Sequence, residues 1–229
     1  MKKALILSMF IFFIADSYSQ NIQLLYGKGK EKGFVTSTVE MFKPDKLGNT
    51  FFFIDFTYGN EGIEGVNSAY WEIARAFTLG KSSLAFHAEY NGGLGQWKSG
   101  NESGAYTINN AWLTGLEYSF NDKEFTKGIT FQALYKYIQG KHNASFQLTA
   151  VWYLNAYKNR FSFTGYADFW REDNFFENVT TRYIMMGQPQ LWYNFNKHFS
   201  AGTEIQVGYN FGSAKGWDVM PSAAVKYTF

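Results

Sequence analysis

From residue 21 onward the chain alternates apolar and polar side chains with a period of two. Leu84, Phe86, Ala88 and Tyr90 alternate with Ser83, Ala85, His87 and Glu89. Ile129, Phe131, Ala133, Tyr135 and Tyr137 alternate with Thr130, Gln132, Leu134 and Lys136, and Ala201 to Phe211 does the same against Gly202 to Asn210. Period two puts each set on one face of a sheet, and helical spacing fits these windows poorly. Twelve such runs follow one another: 21–27, 34–44, 49–58, 66–79, 82–92, 107–121, 127–139, 143–156, 160–171, 180–195, 198–211 and 217–229. The connectors after runs two, four, six, eight and ten are short (Asp45 to Gly48, Gly80-Lys81, Asn121 to Thr126, Tyr157 to Asn159, Asn196-Lys197), whereas Gly93 to Tyr106 and Glu172 to Val179 read as longer loops. Short turns at one end and long connections at the other predict a 12-stranded antiparallel transmembrane β-barrel of the outer-membrane type, with the short turns on the periplasmic side.

A soluble β-sandwich would alternate too. Two features separate the readings. Rings gather near strand ends (Phe52, Tyr58, Trp71, Phe77, Tyr90, Trp112, Tyr118, Phe120, Phe161, Phe169, Tyr193, Tyr209), as in the two interfacial girdles of a membrane barrel. The runs are also longer than the five or six residues usual in soluble sheets. In the last run Val219, Pro221, Ala223, Val225, Tyr227 and Phe229 alternate with Met220 to Thr228. The strand-final Phe229 resembles the C-terminal signal by which such barrels are handed to the barrel-assembly machinery. Pro221 lacks an N–H and is expected where that ladder bond is dispensable.

The first residues have a different character. Met1-Lys2-Lys3 is basic, Ala4 to Ala15 is apolar apart from Ser8, and Ser17-Tyr18-Ser19 offers small residues. This is the pattern of a secretory signal peptide over 1–19, removed near Ser19, followed by a single barrel domain over 20–229. Twelve apolar residues are too few for a spanning helix. The expected location is the outer membrane of a Gram-negative bacterium. Composition narrows the function. The 229 residues contain no cysteine, which excludes disulfides and cysteine-ligated zinc. Aromatics are 21%, too many for a disordered chain. Net charge is +2 and falls to +1 once two lysines and one aspartate leave with the leader, so no nucleic-acid polymer is expected as partner. The expected partners are membrane lipid and a small-molecule solute, and the chain is expected to be a monomer because it closes its own edges.

If the apolar set faces lipid, the other set lines a lumen. That set holds Asp55, Glu72, Glu89, Glu117, Asp168 and Glu204, with Lys136, Arg182, Lys226 and His87 as bases. It also holds amides (Gln132, Gln147, Gln188, Gln190, Asn194, Gln206, Asn210) and rings (Phe53, Tyr70, Tyr153, Tyr166, Trp170, Trp192). Buried charges must be paired or hydrated, so the acids, Glu40 included, are expected to meet Lys136, Arg182, Lys226 or His87 across the lumen. Twelve strands leave a narrow, side-chain-lined passage between the filled interior of eight and the wide pore of sixteen. Gly115, Gly202 and Gly208 would relieve crowding. Balanced charge with amides and ring faces suits a small neutral solute. Arg75 breaks the pattern, since alternation sends it outward.

Catalytic chemistry finds little support. A Ser–His relay, as an outer-membrane lipid hydrolase would need, has only His87, His142 and His198 to draw on. His142 with Ser145 sits at a loop-to-strand junction, and His198 sits at a turn. There is no phosphate-cradling Gly-rich loop and no compact metal-ligand spacing, so no cofactor or metal is expected. The chain is read as a non-enzyme, with a lipid hydrolase or a plugged structural or adhesive barrel as the alternatives.

Several short segments, in order, carry a family resemblance: Phe51-Phe52-Phe53-Ile54-Asp55, His87-Ala88-Glu89-Tyr90-Asn91, Phe146 to Trp152, Phe163 to Phe169, Gln188-Pro189-Gln190-Leu191-Trp192, Gly202 to Gln206, Asn210-Phe211-Gly212 and Phe229. In these the chain resembles the Tsx-type nucleoside-specific channel family, in its uncharacterised domain-of-unknown-function branch from Bacteroidota. The resemblance implies a twelve-stranded outer-membrane barrel and passive uptake of nucleosides through a ring-lined lumen. Bases would stack on Phe53, Tyr166, Trp170 and Trp192, and ribose hydroxyls would bond Gln147, Gln188 and Gln190.

Overall fold

The computed structural model describes residues 19–28, 33–59, 62–141, 145–176, 179–212 and 215–229. All but Ser19 of the segment expected to be a signal peptide lies outside them, as does His142. The strands are β1 (Ser19–Lys28), β2 (Gly33–Asp45), β3 (Gly48–Tyr58), β4 (Val66–Thr78), β5 (Leu84–Ser99), β6 (Glu102–Asn121), β7 (Lys127–Ile138), β8 (Ser145–Ala156), β9 (Phe161–Phe176), β10 (Val179–Gly187), β11 (Gln190–Asn194), β12 (Phe199–Tyr209) and β13 (Trp217–Thr228). Each pairs antiparallel with its neighbours, and β1 pairs with both β2 and β13. The sheet is thus closed, which removes the unpaired edges that an open sheet must protect.

Thirteen segments make twelve staves, because β10 and β11 are two halves of one. Both halves lie between β9 and β12. The break falls at Gln188-Pro189, where proline has no N–H to give. Opposite it, Gly165 adopts φ +153°, and a side chain there would collide with the Gln188 carbonyl at 2.6 Å. The ladder is patched from both sides: Gln188 N–H donates to Tyr166 O at 3.0 Å and Ile205 N–H to Pro189 O at 3.0 Å. The sequence pattern ran through this point as a single strand because the alternation of side chains survives the break. Two expected loops are also strand. β5 and β6 continue through Gly93 to Tyr106 as a hairpin turning at Gly100, and β9 extends to Phe176. Pro221 sits one residue beyond the last β1–β13 partner pair, Gly27 with Ser222, so its missing donor costs little.

Exposure shows which face is which. On β1 Asn21 and Gln23 are 4% and 2% exposed, while Ile22, Leu24 and Tyr26 between them are 43%, 50% and 62% exposed. The same inversion runs round the barrel: Phe86, Leu116, Phe131 and Leu148 face out, and His87, Glu117, Lys136 and Gln147 face in. A water-soluble fold hides its apolar set, and this one displays it over the whole outer wall, as a lipid-embedded barrel must. Rings touch along both rims. Tyr90, Trp112 and Tyr137 form a chain at the long-hairpin end, and Phe161, Tyr193, Phe195 and Phe199 form one at the short-turn end.

Arg75 does point outward. It forms a bidentate pair with Asp45 at the β2–β3 turn, at 2.6 and 2.8 Å, and also donates to Thr50 at 3.0 Å. Its guanidinium carbon also lies 5.1 Å from the centroid of the Phe77 ring, a cation–π contact on the outer wall. The charge is thus met by Asp45 at the short-turn end rather than left in the apolar belt. In the β6–β7 turn, Asp122 accepts from Lys127 N–H and the Thr126 hydroxyl, and these bonds hold its carboxyl below the usual range. That contribution is present above the ordinary carboxylate range and is lost as acid protonates it. The barrel is expected to need detergent for extraction and, unheated, to migrate on an SDS gel at a position different from the boiled chain. A protein that stays soluble without detergent and shows one mobility would contradict the fold.

Candidate lumen site

The inner wall carries two hydrogen-bonded arcs. The first runs over β4 to β9. Tyr70 donates to Glu72 at 2.6 Å. His87 lies between two carboxylates, with Nε2 2.9 Å from Glu89 and Nδ1 2.8 Å from Glu117. Asn91 Nδ2 donates to the other oxygen of Glu89 at 2.9 Å, and Gln132 donates to Glu117 at 3.3 Å. Lys136 donates to Gln147 at 2.7 Å and rests 4.4 Å over the Trp170 ring. Gln147 donates on to Thr149 at 3.1 Å, and Thr149 to Asp168 at 2.5 Å. Trp170 N–H ends the arc on Glu172 at 2.9 Å.

The second arc spans β10 to β13 and β1 to β3. The Tyr166 hydroxyl donates to Gln188 at 2.9 Å, and Gln188 to Gln206 at 3.2 Å. Gln190 donates to Glu204 at 2.7 Å and accepts the Trp192 N–H at 3.0 Å. Lys226 sits 4.1 Å over the Trp192 ring. Gln23 donates to Asn21 at 3.0 Å, Asn21 to Glu40 at 2.9 Å, and Thr38 donates to Asp55. Phe53 lines the same wall, with its ring centroid 6.0 Å from that of Tyr70.

The expected lumen residues named in these arcs therefore lie on the inner wall, and Arg182 stands apart from them. Arg182 sits at a register shift near the long-hairpin rim, its side chain 70% exposed and 3.9 Å from Asp173. Its loss from the lumen changes the charge. Among the described residues of the two arcs, Glu40, Asp55, Glu72, Glu89, Glu117, Asp168, Glu172 and Glu204 face His87, Lys136 and Lys226, with Lys141 3.3 Å from Glu172 at the end of the first arc. The expected balance gives way to an acidic excess.

The expected cross-lumen ion pairs are also mostly replaced. Among the described residues, Glu89 alone of Glu40, Asp55, Glu72 and Glu89 lies within ion-pair distance of a base, His87. Register explains this, since Asn21 lies directly opposite Glu40 and Thr38 opposite Asp55. A neutral donor on the adjoining strand takes Glu40 and Asp55, and Tyr70 two residues along the same strand takes Glu72.

Trp192 is corrected as a stacking platform. It is 0% exposed, packed with Leu25 and Ala224 and covered on one face by Lys226. Gly202 makes this possible, because a Cβ there would stand 2.8 Å from the ring. Trp170, 7% exposed, is likewise occupied by Lys136 and by the edge of Phe211. Asn91 was missed by the sequence reading, although the alternation of His87 and Glu89 leads straight to it. The Lys–Trp stacks carry no local signal, since each joins residues far apart in sequence.

Neither described histidine is arranged as a relay base. Both ring nitrogens of His87 are taken by carboxylates, and His198 Nδ1 lies 2.7 Å from the Thr228 carbonyl at the short-turn end.

Closed staves, an apolar exterior and a polar interior together define an outer-membrane-type β-barrel. The chain belongs to a family described as a domain of unknown function, DUF5020, whose profile matches residues 19–229. No curated protein sequence matches. Among solved structures, the NanC porin has a similar fold at 10% identity, covering 92% of this chain and 100% of that one with a TM-score of 0.59. The KdgM porin, solved also in complex with disordered oligogalacturonate, matches at 11% identity over 92% of this chain and 99% of that one, with a TM-score of 0.50. At these identities the likeness is one of fold.

Proposed function

We propose that this barrel is a passive outer-membrane channel for small polar solutes that are neutral or positively charged, acting as a monomer, with nucleosides among the neutral candidates. The observation that carries the reading is a closed twelve-stave barrel whose interior is polar, hydrogen-bonded in clusters and acid-rich. Phe53, Tyr70 and Tyr166 supply ring faces, and Gln147, Gln188 and Gln190 supply amides. Such groups hold a solute weakly enough to release it. The acidic excess separates this lumen from one suited to a polyuronate such as the oligogalacturonate bound by KdgM, because like charges repel at close quarters. Phe229, 63% exposed with its backbone N–H on Gln20 O at 3.0 Å, presents its ring for the assembly machinery.

A plugged barrel is the second reading, favoured by the tight interior: Gln23, His87, Leu113 and Leu134 are 2–3% exposed. Planar-bilayer recording decides between them. A channel gives discrete current steps with potassium more permeant than chloride, and nucleosides reduce the current more than galacturonate does. Silent bilayers, together with liposomes that take up no nucleoside, would establish the plugged barrel.

A further inference from the structure

The inner wall beside Glu72 and Glu89 carries an acceptor set that the chain does not complete. Asn91 is 4% exposed, and its Oδ1 accepts no hydrogen bond. The orientation of the amide is not arbitrary. Nδ2 donates to Glu89 Oε1 at 2.9 Å, and turning the amide over would set two oxygens against each other. A buried carbonyl without a donor is costly, so the site calls for one. Glu72 stands directly opposite Asn91 on β4, with Glu89 two residues along on β5. Around this point four carboxylates (Glu72, Glu89, Glu117, Asp168) outnumber the bases His87 and Lys136. Both bases are engaged, His87 by two carboxylates and Lys136 by Gln147 and Trp170.

We propose that Glu72, Glu89 and Asn91 Oδ1 form a binding subsite for a primary ammonium group. A –NH3+ head carries three donors and no acceptor, which matches two carboxylates and one amide oxygen. A bare divalent metal fits less well, since among the described residues no three His, Asp or Glu groups converge at ligand distance. The Tyr70 and Phe53 rings, in contact with each other and adjoining Glu72, offer an apolar wall for the carbon chain behind the head. The subsite rests on the channel reading for its purpose, as the place where a small amine pauses in transit, and is testable without it.

The test is calorimetric titration of the detergent-purified barrel with n-butylammonium, n-butanol and tetramethylammonium. The subsite is expected to bind n-butylammonium at least about tenfold more tightly than tetramethylammonium, which has charge but no donors, and not to bind n-butanol. Asn91→Leu is expected to weaken n-butylammonium about five- to tenfold through the lost acceptor, and Glu72→Gln by about tenfold or more. Asn91→Asp keeps the shape, adds charge and is expected to tighten binding, so the assignment stays exposed to failure even where Asn91→Leu does not fold. Equal affinities for the three probes, no binding, or binding unchanged in Glu72→Gln and Asn91→Asp would overturn the subsite. Binding in a barrel that passes no current would refute the channel and leave the subsite standing. Current without ammonium binding would do the reverse.

Discussion

Trp192→Ala is expected to destabilise the barrel by about 3–5 kcal/mol, the usual cost of emptying a fully buried tryptophan site. The ring is completely covered, and three neighbours depend on it. Lys226 lies on its face, Gln190 accepts its N–H, and Leu25 packs against it. Losing the ring removes a cation–π contact worth about 0.5–2 kcal/mol and releases the Lys226 ammonium into the lumen. Urea unfolding in micelles reads the stability, and bilayer recording reads the second consequence, a rise in unitary conductance as the wall recedes. A midpoint unchanged from the parent would show that the ring is not a structural strut.

His87→Phe is expected to have an effect of comparable size for an electrostatic reason. Glu89 and Glu117 flank the imidazole with side chains only 8% exposed, so removing it leaves two carboxylates side by side without a cation. In a dry interior the cost is about 3–5 kcal/mol, because an uncompensated charge is left behind. If water reaches the pair, the cost drops to about 1 kcal/mol or less, the scale of exposed pairs. The size of the loss thus reports how wet this level of the lumen is. Adding Glu117→Leu to His87→Phe should recover part of it, and a double-mutant cycle measures how much. A single variant as stable as the parent, combined with a double variant less stable than either single one, would show that the three groups do not act as a unit.

The staves were legible because the bilayer makes an unusually simple demand. Every second residue must be apolar, so Ile22, Leu24 and Tyr26, or Phe146, Leu148 and Ala150, announce the outer face without any knowledge of partners. The break at Gln188-Pro189 was hidden for the same reason, since a lost backbone bond leaves that rhythm untouched. Inside the barrel the rule weakens. Facing inward was readable for Asp55, Glu72 or Lys136, but their partners depend on register between strands. Arg182 failed because alternation says nothing of height along a strand: it lies at the rim, beside the extra residue of β9, with its side chain 70% exposed. Trp192 was readable as inward, but not as covered, since Lys226 and Gly202 reach it from β13 and β12.

The seam between the first and last strands carries a kinetic consequence. Asn21 through Gly27 pair with Thr228 through Ser222, partners about two hundred residues apart along the chain. Every other ladder joins segments that are near neighbours in sequence and can zip locally. This one must wait, because closing so long a loop is paid in chain entropy before any of its bonds form. The curled sheet is therefore expected to assemble progressively and to lock late and cooperatively. The seam's seven partner pairs, cut short where Pro221 begins, then set the slowest step of folding and the first place where the closed ring parts again.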